Sequence, residues 1–137
     1  MTFTSSQFTP TQWSTAQDKA AFAKQFVRLV QSDFAAKHFT DKFYRRLSNT
    51  FGHIAHYNRA GFWDTFFTTT ADKVGFLEQT VQYPCYGDPV WTYSDVERAI
   101  RVWLEAEGML ARYRQRLAKD TVVAERAEWS RLQQKYA

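Results

Sequence analysis

Seven apolar residues between positions 96 and 117 recur at alternating intervals of three and four. They are Val96, Ala99, Trp103, Ala106, Leu110, Tyr113 and Leu117. Successive residues of an α-helix are rotated by about 100°, so this spacing puts all seven on one face. By the same rotation, five basic side chains fall within about 60° of each other on the opposite side. They are Arg98, Arg101, Arg112, Arg116 and Lys119. The segment 94–119 is therefore expected to be one helical rod with an apolar edge and a basic edge.

Apolar residues at helical spacing also mark four shorter helices before residue 83. In the first, Phe22, Phe26 and Val30 recur every four residues, and Ser14 with Gln17 predicts a capping box at its start. Two of the others are expected at residues 40–54, with Thr40 as its cap, and at residues 59–69. The last is a short helix after the threonines at 68–70, with Val74, Leu77 and Val81 facing inward, and Pro84 stops it. Residues 1–13 are rich in Ser, Thr and Gln and predict an extended N-terminal arm.

The segment 83–93 separates these helices from the C-terminal region. It contains Pro84, Gly87 and Pro89 among four aromatic residues, and this composition predicts a loop rather than a helix. Ser94 and Glu97 have the spacing of a capping box, which predicts that the next helix starts there.

Beyond residue 120 the apolar positions change direction. They are now Val122, Trp129, Leu132 and Tyr136, rotated by about 100° from the preceding stripe. A straight helix would then face a second partner on another side. The sequence therefore predicts either a bend near residue 120 or a long helix whose end meets another surface.

These patterns indicate an all-α protein. A chain of 137 residues suits one domain, and no strand-like alternation of apolar and polar residues is present. We expect a single-domain bundle of about five to six helices over residues 14–137, preceded by the arm. The segment 94–137 should form a long C-terminal helix or helix pair.

Charge and cysteine content give only broad indications of the partners and the cellular compartment of the protein. The formal net charge of +4 favours acidic partners weakly. The single cysteine, Cys85, excludes an internal disulfide and suits a reducing compartment. No apolar run reaches the roughly 18 residues of a membrane span, and the N-terminus lacks a secretory pattern. A cytoplasmic protein without membrane association is expected.

Two histidines offer the sharpest chemical hypothesis. His53 and His56 are three residues apart, a spacing that on a helix puts both imidazoles on one face. They are candidates for a metal site, although zinc needs two further ligands. Together with Arg59 they are also candidates for metal-free phosphodiester cleavage, with imidazole moving the proton and guanidinium holding the phosphate. The competing interpretation is structural hydrogen bonding at a helix junction.

Other catalytic patterns are missing from the sequence. No glycine-rich phosphate loop, paired-cysteine motif or nucleophile elbow is present, and no cofactor is expected. An enzyme therefore stays an alternative only as a hydrolase or a nuclease centred on His53 and His56.

A macromolecular binder is the main functional hypothesis. Aromatic residues make up 18% of the chain, and Tyr, Trp and Arg dominate binding energy at protein interfaces. Tyr86 and Trp91 of the loop are the expected anchors, beside the basic edge of the segment 94–119. The same edge could follow a phosphate backbone, so nucleic-acid binding is the alternative. A homodimer through the C-terminal region also stays open.

Two stretches, 52–63 (GHIAHYNRAGFW) and 83–89 (YPCYGDP), resemble small uncharacterised accessory proteins of bacterial mobile elements or phages. The resemblance brings no known catalytic residues. It implies an accessory factor that blocks or tunes a host system, such as an anti-defence inhibitor. Because some of those inhibitors imitate DNA with a strongly acidic surface, the basic character of this chain argues against that mechanism.

Overall fold

The computed structural model of the protein describes residues 3–51, 58–82 and 87–136. These residues form six α-helices and two short 3₁₀ turns, with no strand among them, which confirms the prediction of an all-α single-domain bundle. The helices are α1 (Ala16–Gln31), α2 (Asp41–Thr50), α3 (Arg59–Phe66), α4 (Thr70–Gln82), α5 (Ser94–Ala106) and α6 (Met109–Tyr136). The 3₁₀ turns are Ser5–Gln7 and Ala36–His38. None of the described helices is both long enough and apolar enough to cross a membrane.

Phenylalanine rings fill the centre of the bundle. Phe22, Phe26 and Val30 are buried on α1, as their spacing predicts. Phe76 of α4 lies at the middle of the core, with its ring centre 5.0 Å from that of Phe67. Edge-to-face and offset ring pairs of this kind stabilise a core by about 0.5–1.5 kcal/mol beyond the burial of their area.

The N-terminal arm is attached to the bundle by two phenylalanines. Phe3 and Phe8 are buried on either side of the first 3₁₀ turn, and that turn packs on α1. Trp13, in contrast, is 73% exposed. The arm is therefore a docked segment that leaves its tryptophan on the surface.

The cap of α1 differs from the predicted one by a single residue. Thr15, not Ser14, is the N-cap: its hydroxyl accepts from the backbone N–H of Asp18, and the Asp18 carboxylate accepts from the N–H of Thr15. Ser14 is held instead in a turn with Thr11, whose Oγ1 accepts from the Ser14 N–H at 2.9 Å. On α2 the predicted cap is confirmed, since Thr40 Oγ1 accepts from the N–H of Phe43.

The C-terminus of α1 closes through a left-handed turn. The N–H of Phe34 donates to the carbonyl of Leu29 at 2.7 Å, and that of Asp33 donates to Val30, which is the Schellman pattern. Asp33 has φ of 58° and Phe34 has φ of 57°, a conformation usually adopted by glycine or asparagine. Contacts from elsewhere in the bundle must therefore hold this turn.

Asp33 provides those contacts. Its Oδ1 accepts from Tyr113 at 2.8 Å, Arg116 at 2.8 Å and Lys73 at 3.2 Å, so it joins the end of α1 to α4 and α6. Burial raises the pKa of the Asp33 carboxyl, but the three donors outweigh it and hold that pKa below its ordinary value of 3.8. Burial, followed by the hydrogen bond to Asp33, raises the pKa of Tyr113.

We predict that Asp33→Asn lowers the free energy of unfolding by about 1 kcal/mol at pH 7, because a half-exposed ion-pair network contributes modestly. Asparagine tolerates the left-handed turn, so the substitution isolates the charge. A carboxyl with a depressed pKa contributes stability above its unfolded-state value of 3.8, and this stability is lost as the pH falls through the lower folded-state pKa. Urea unfolding at pH 7 and pH 2.5 should therefore show a difference that shrinks in acid, whereas equal differences at both pH values would contradict the prediction.

The predicted rod over residues 94–119 is wrong, because the chain breaks between α5 and α6. Gly108 has φ of +61°, a conformation that favours glycine, and α5 ends just before it at Ala106. Trp103 is nevertheless buried and Leu110 half-buried, so the apolar stripe points into the core from two separate helices. The apolar residues keep the spacing of a single helix across the break, because only residues 107 and 108 lie between α5 and α6.

Helix α6 continues without interruption through Asp120. Its first half packs along α4, where Thr70 donates to Asp120 at 3.0 Å and Arg114 lies 3.4 Å from Glu78. The remaining 16 residues, 121–136, form the α6 extension, roughly 24 Å long by helical rise. All of them are exposed except the half-buried Leu132. The helix is long and unbroken, as the second alternative predicts, but its end is exposed and does not meet the other surface that this alternative requires.

Candidate functional site

A buried lysine holds the loop that precedes α5. Lys19 of α1 has no exposed surface, and its Nζ donates to the carbonyls of Pro89 at 2.8 Å and Thr92 at 2.9 Å. Its third acceptor is Asp95 Oδ1 at 2.9 Å, which forms a largely buried ion pair. The other oxygen of Asp95 accepts from the backbone N–H of Thr9. One lysine and one aspartate thus join the arm, α1, the loop and the start of α5.

The loop is also closed by its own hydrogen bonds. The carbonyl of Asp88 accepts from the N–H groups of Trp91 and Thr92, and the Asp88 carboxylate accepts from the N–H of Val90. Gly87 has φ of +145°, and a Cβ there would lie 3.0 Å from a carbon of the Thr92 side chain. The position of Trp91 is therefore determined by a rigid turn that requires glycine at its start.

Ser94 has a different role from the predicted one. The N-cap of α5 is Tyr93, which makes no side-chain cap, so the expected capping box of Ser94 and Glu97 is wrong. The Ser94 hydroxyl instead donates to the carbonyl of Gly87 at 2.8 Å. Because this bond closes the loop, the serine stabilises the turn rather than the helix end.

Two exposed tryptophans meet on this scaffold. Trp91 is 59% exposed and Trp13 is 73% exposed, and their ring centres are 6.4 Å apart with a tilt of 56°. They border a cavity of about 310 Å³, which we call the tryptophan groove. Its lining residues are Thr11, Trp13, Ser14, Asn49, Trp91, Thr92 and Tyr93.

The groove has a distinct chemical character. Three of its seven lining residues are aromatic, and none is Lys, Arg, Asp or Glu. The hydroxyls of Thr11 and Thr92 are occupied by hydrogen bonds within the turns. Across residues 3–51, 58–82 and 87–136, nothing accepts a hydrogen bond from the indole N–H of either tryptophan. An uncharged ligand with apolar faces and hydrogen-bond acceptors fits this surface.

Of the two exposed tryptophans of this groove, the sequence predicts one as a binding residue. Trp91 was an expected anchor and is exposed, while Tyr86 lies outside the described residues. Sequence reasoning missed Trp13 as a binding residue, because it belongs to the predicted N-terminal arm and not to the aromatic loop 83–93. The available signal was a large aromatic residue between polar Gln12 and Ser14.

The five basic residues do not form one face. Arg101 lies 4.0 Å from Glu97, and Arg116 donates to Asp33, so intramolecular acids pair with both. Arg98, Arg112 and Lys119 are exposed and have no ion pair within the described part of the chain, but the break at residue 108 divides them between α5 and α6. The predicted continuous basic edge is therefore absent.

The histidine hypothesis stays a prediction, since His53 and His56 lie outside the described residues. Arg59 is described: its Nε lies 2.6 Å from Asp41, and it borders a second cavity of about 240 Å³ beside Trp63 and Asp64. Among the residues whose placement is described, no three potential metal ligands come together.

Comparison with known proteins identifies no relative. No family model, no curated protein and no solved structure matches the chain.

Proposed function

We propose that this protein is a non-enzymatic binding protein that occupies the surface of a protein partner through the tryptophan groove. The observation that carries the proposal is the pair of exposed indole rings, Trp13 and Trp91, on a backbone held by the buried Lys19. Tryptophan is enriched among the residues that dominate binding energy.

The rigidity of the loop supports this function. Side chains already ordered before association lose less conformational entropy when a partner binds. The internal hydrogen bonds of Asp88 and the contacts of Lys19 hold the backbone at Trp91 in place without a partner, and the Trp91 ring packs on that of Trp13. The protein therefore presents a preorganised surface.

A protein partner fits the groove better than a nucleic acid does. Phosphate backbones need several cations, and no cationic side chain lines the groove. The exposed cations Arg98, Arg112 and Lys119 are divided between two helices. Nucleic-acid binding is therefore the alternative, and a steep dependence of affinity on salt is its signature.

The resemblance to accessory proteins of mobile elements and phages suggests the kind of partner. On this proposal, the groove would occupy a component of a host system, as an anti-defence factor does. The function would be steric, because occupation of a surface needs no catalytic residue.

The test is capture of the partner by the full-length protein from its native cells, followed by affinity measurement with the purified partner. We expect Trp91→Ala and Trp13→Ala each to weaken binding at least tenfold, or about 1.4 kcal/mol or more. Circular dichroism should show an unchanged fold, because both side chains are exposed.

Trp129→Ala is the matched control, since Trp129 is 64% exposed but lies on the α6 extension. Its affinity should stay within about twofold of the parent, the range of a neutral contact. If the double variant of Trp13 and Trp91 keeps full affinity, the tryptophan groove is not the binding site. Binding of nucleic acid alone, with a steep salt dependence, would favour the alternative function.

A further inference from the structure

The tryptophan groove combines ring faces with unused hydrogen-bond donors. Trp13 and Trp91 offer two indole N–H groups, and the exposed side chain of Asn49 offers an amide that makes no hydrogen bond to another described residue. No ionised side chain lines the cavity. Because the free side-chain donors of the lining outnumber its free acceptors, the complementary ligand is uncharged, has apolar ridges and is richer in acceptors than in donors.

We infer that the groove binds a proline-rich segment of the partner in the polyproline II conformation. The inference rests on the proposed function and specifies the segment that the partner presents. Aromatic-lined grooves recognise such segments elsewhere, because pyrrolidine rings pack on aromatic faces and the extended chain is already ordered before binding.

The hydrogen-bonding character of proline matches that of the groove. A prolyl residue has no backbone N–H, so a run of prolines presents only carbonyl acceptors. The indole N–H groups of Trp13 and Trp91 and the amide of Asn49 are donors for such carbonyls. An ordinary extended peptide would also bring N–H groups, and the only side-chain acceptors of the lining left for them are the Asn49 amide oxygen and the hydroxyls of Ser14 and Tyr93, since the hydroxyls of Thr11 and Thr92 are already engaged.

The dimensions of the site agree with one short segment. The two indole ring centres are 6.4 Å apart, and two residues of polyproline II rise about 6.2 Å. A single segment of a few residues therefore reaches both rings at once. Tyr93 adds a third aromatic side chain to the cavity wall.

The experiment titrates the full-length, ¹⁵N-labelled protein with an end-capped decaproline peptide and follows the indole N–H resonances. The signals of Trp13 and Trp91 should shift in a saturable way, while that of Trp129 on the α6 extension should not. An end-capped glycine–serine decamer is the matched probe without rings or a preformed extended conformation, and it should shift neither signal. Trp91→Ala should weaken decaproline binding at least about tenfold.

Asn49→Ala tests the donor part of the inference. The substitution removes an exposed side chain, so the fold should persist, and affinity for decaproline should fall about threefold to tenfold. An unchanged affinity would show that the amide does not contact the peptide and would overturn that contact.

Three results would overturn the inference as a whole. The first is that decaproline causes no saturable shift of the indole N–H resonances of Trp13 and Trp91. The second is that the glycine–serine peptide shifts these resonances equally. The third is that an uncharged oligosaccharide, such as cellohexaose, shifts them and decaproline does not. In each case, the affinity of the captured partner for the Trp91→Ala variant shows whether the proposed function fails together with the proline-rich segment. If its binding still requires Trp91, the proposed function stands and only the proline-rich segment is excluded. If its binding does not require Trp91, both fail.

Discussion

Replacing Lys19 with methionine should lower the free energy of unfolding by about 3–5 kcal/mol, the range for breaking a buried ion pair from one side. Methionine fills a similar volume but cannot donate. The substitution leaves the carbonyls of Pro89 and Thr92 without their donor and the carboxylate of Asp95 without its cation. Urea unfolding followed by circular dichroism measures the loss. Because this loop presents Trp91, partner affinity should fall as well.

The control is Lys24→Met on the same helix. Lys24 is half-buried and makes no ion pair among the described residues, so its substitution should change stability by no more than about 0.5 kcal/mol. The double variant with Lys19→Met and Asp95→Asn removes both charges and should recover part of the loss. A Lys19→Met protein within 1 kcal/mol of the parent would show that the loop does not depend on this lysine.

Phe76→Ala should cost about 3–5 kcal/mol, as expected for deleting a fully buried phenylalanine. The Phe76 ring contacts rings from α1, α3 and the turns that follow them. The distances between ring centres are 5.0 Å to Phe67, 5.8 Å to Phe34, 6.0 Å to Phe26 and 6.1 Å to both Phe62 and Phe66. A single alanine therefore opens a cavity bordered by several elements at once, and neighbouring rings are too rigid to fill it.

Thermal and urea unfolding measure this loss, with Phe76→Leu as the graded comparison. Leucine retains part of the volume, so its cost should be clearly smaller than that of alanine. Trp13→Ala removes an even larger aromatic side chain from the surface and should change stability by no more than about 0.5 kcal/mol. A loss below about 1.5 kcal/mol for Phe76→Ala would contradict its central place in the core.

These two residues have different roles in the structure. Phe76 stabilises the bundle, whereas Lys19 connects the bundle to the loop and the arm. Three of the five tryptophans are exposed, and two of these, Trp13 and Trp91, lie 6.4 Å apart beside the loop that Lys19 holds. Exposure of large apolar side chains contributes nothing to folding, and contiguous apolar surface is typical of binding sites.

Local sequence determined the secondary structure and the inward faces of the helices. The interval of four between Phe22, Phe26 and Val30 is a property of one helical turn, and these residues are buried. Thr40 caps α2 because a hydroxyl reaches the N–H three residues ahead, whatever the rest of the chain does. Neighbouring candidates, such as Ser14 and Thr15, could not be separated, because the competing turn with Thr11 decides between them.

Only the tertiary structure decided which distant residues meet. Lys19 and Asp95 are 76 positions apart, and Trp13 of the arm meets Trp91 of a distant loop. Helical periodicity carries no information about such pairs, since it repeats within a few residues while chain topology brings the helices together. The incorrect rod has a different cause: Gly108 is a local helix-ending signal that the continuous apolar spacing outweighed, and it divides the basic residues between two helices. The sequence alone therefore determined the all-α class and the buried faces of the helices, and the packing of the helices determined the tryptophan groove.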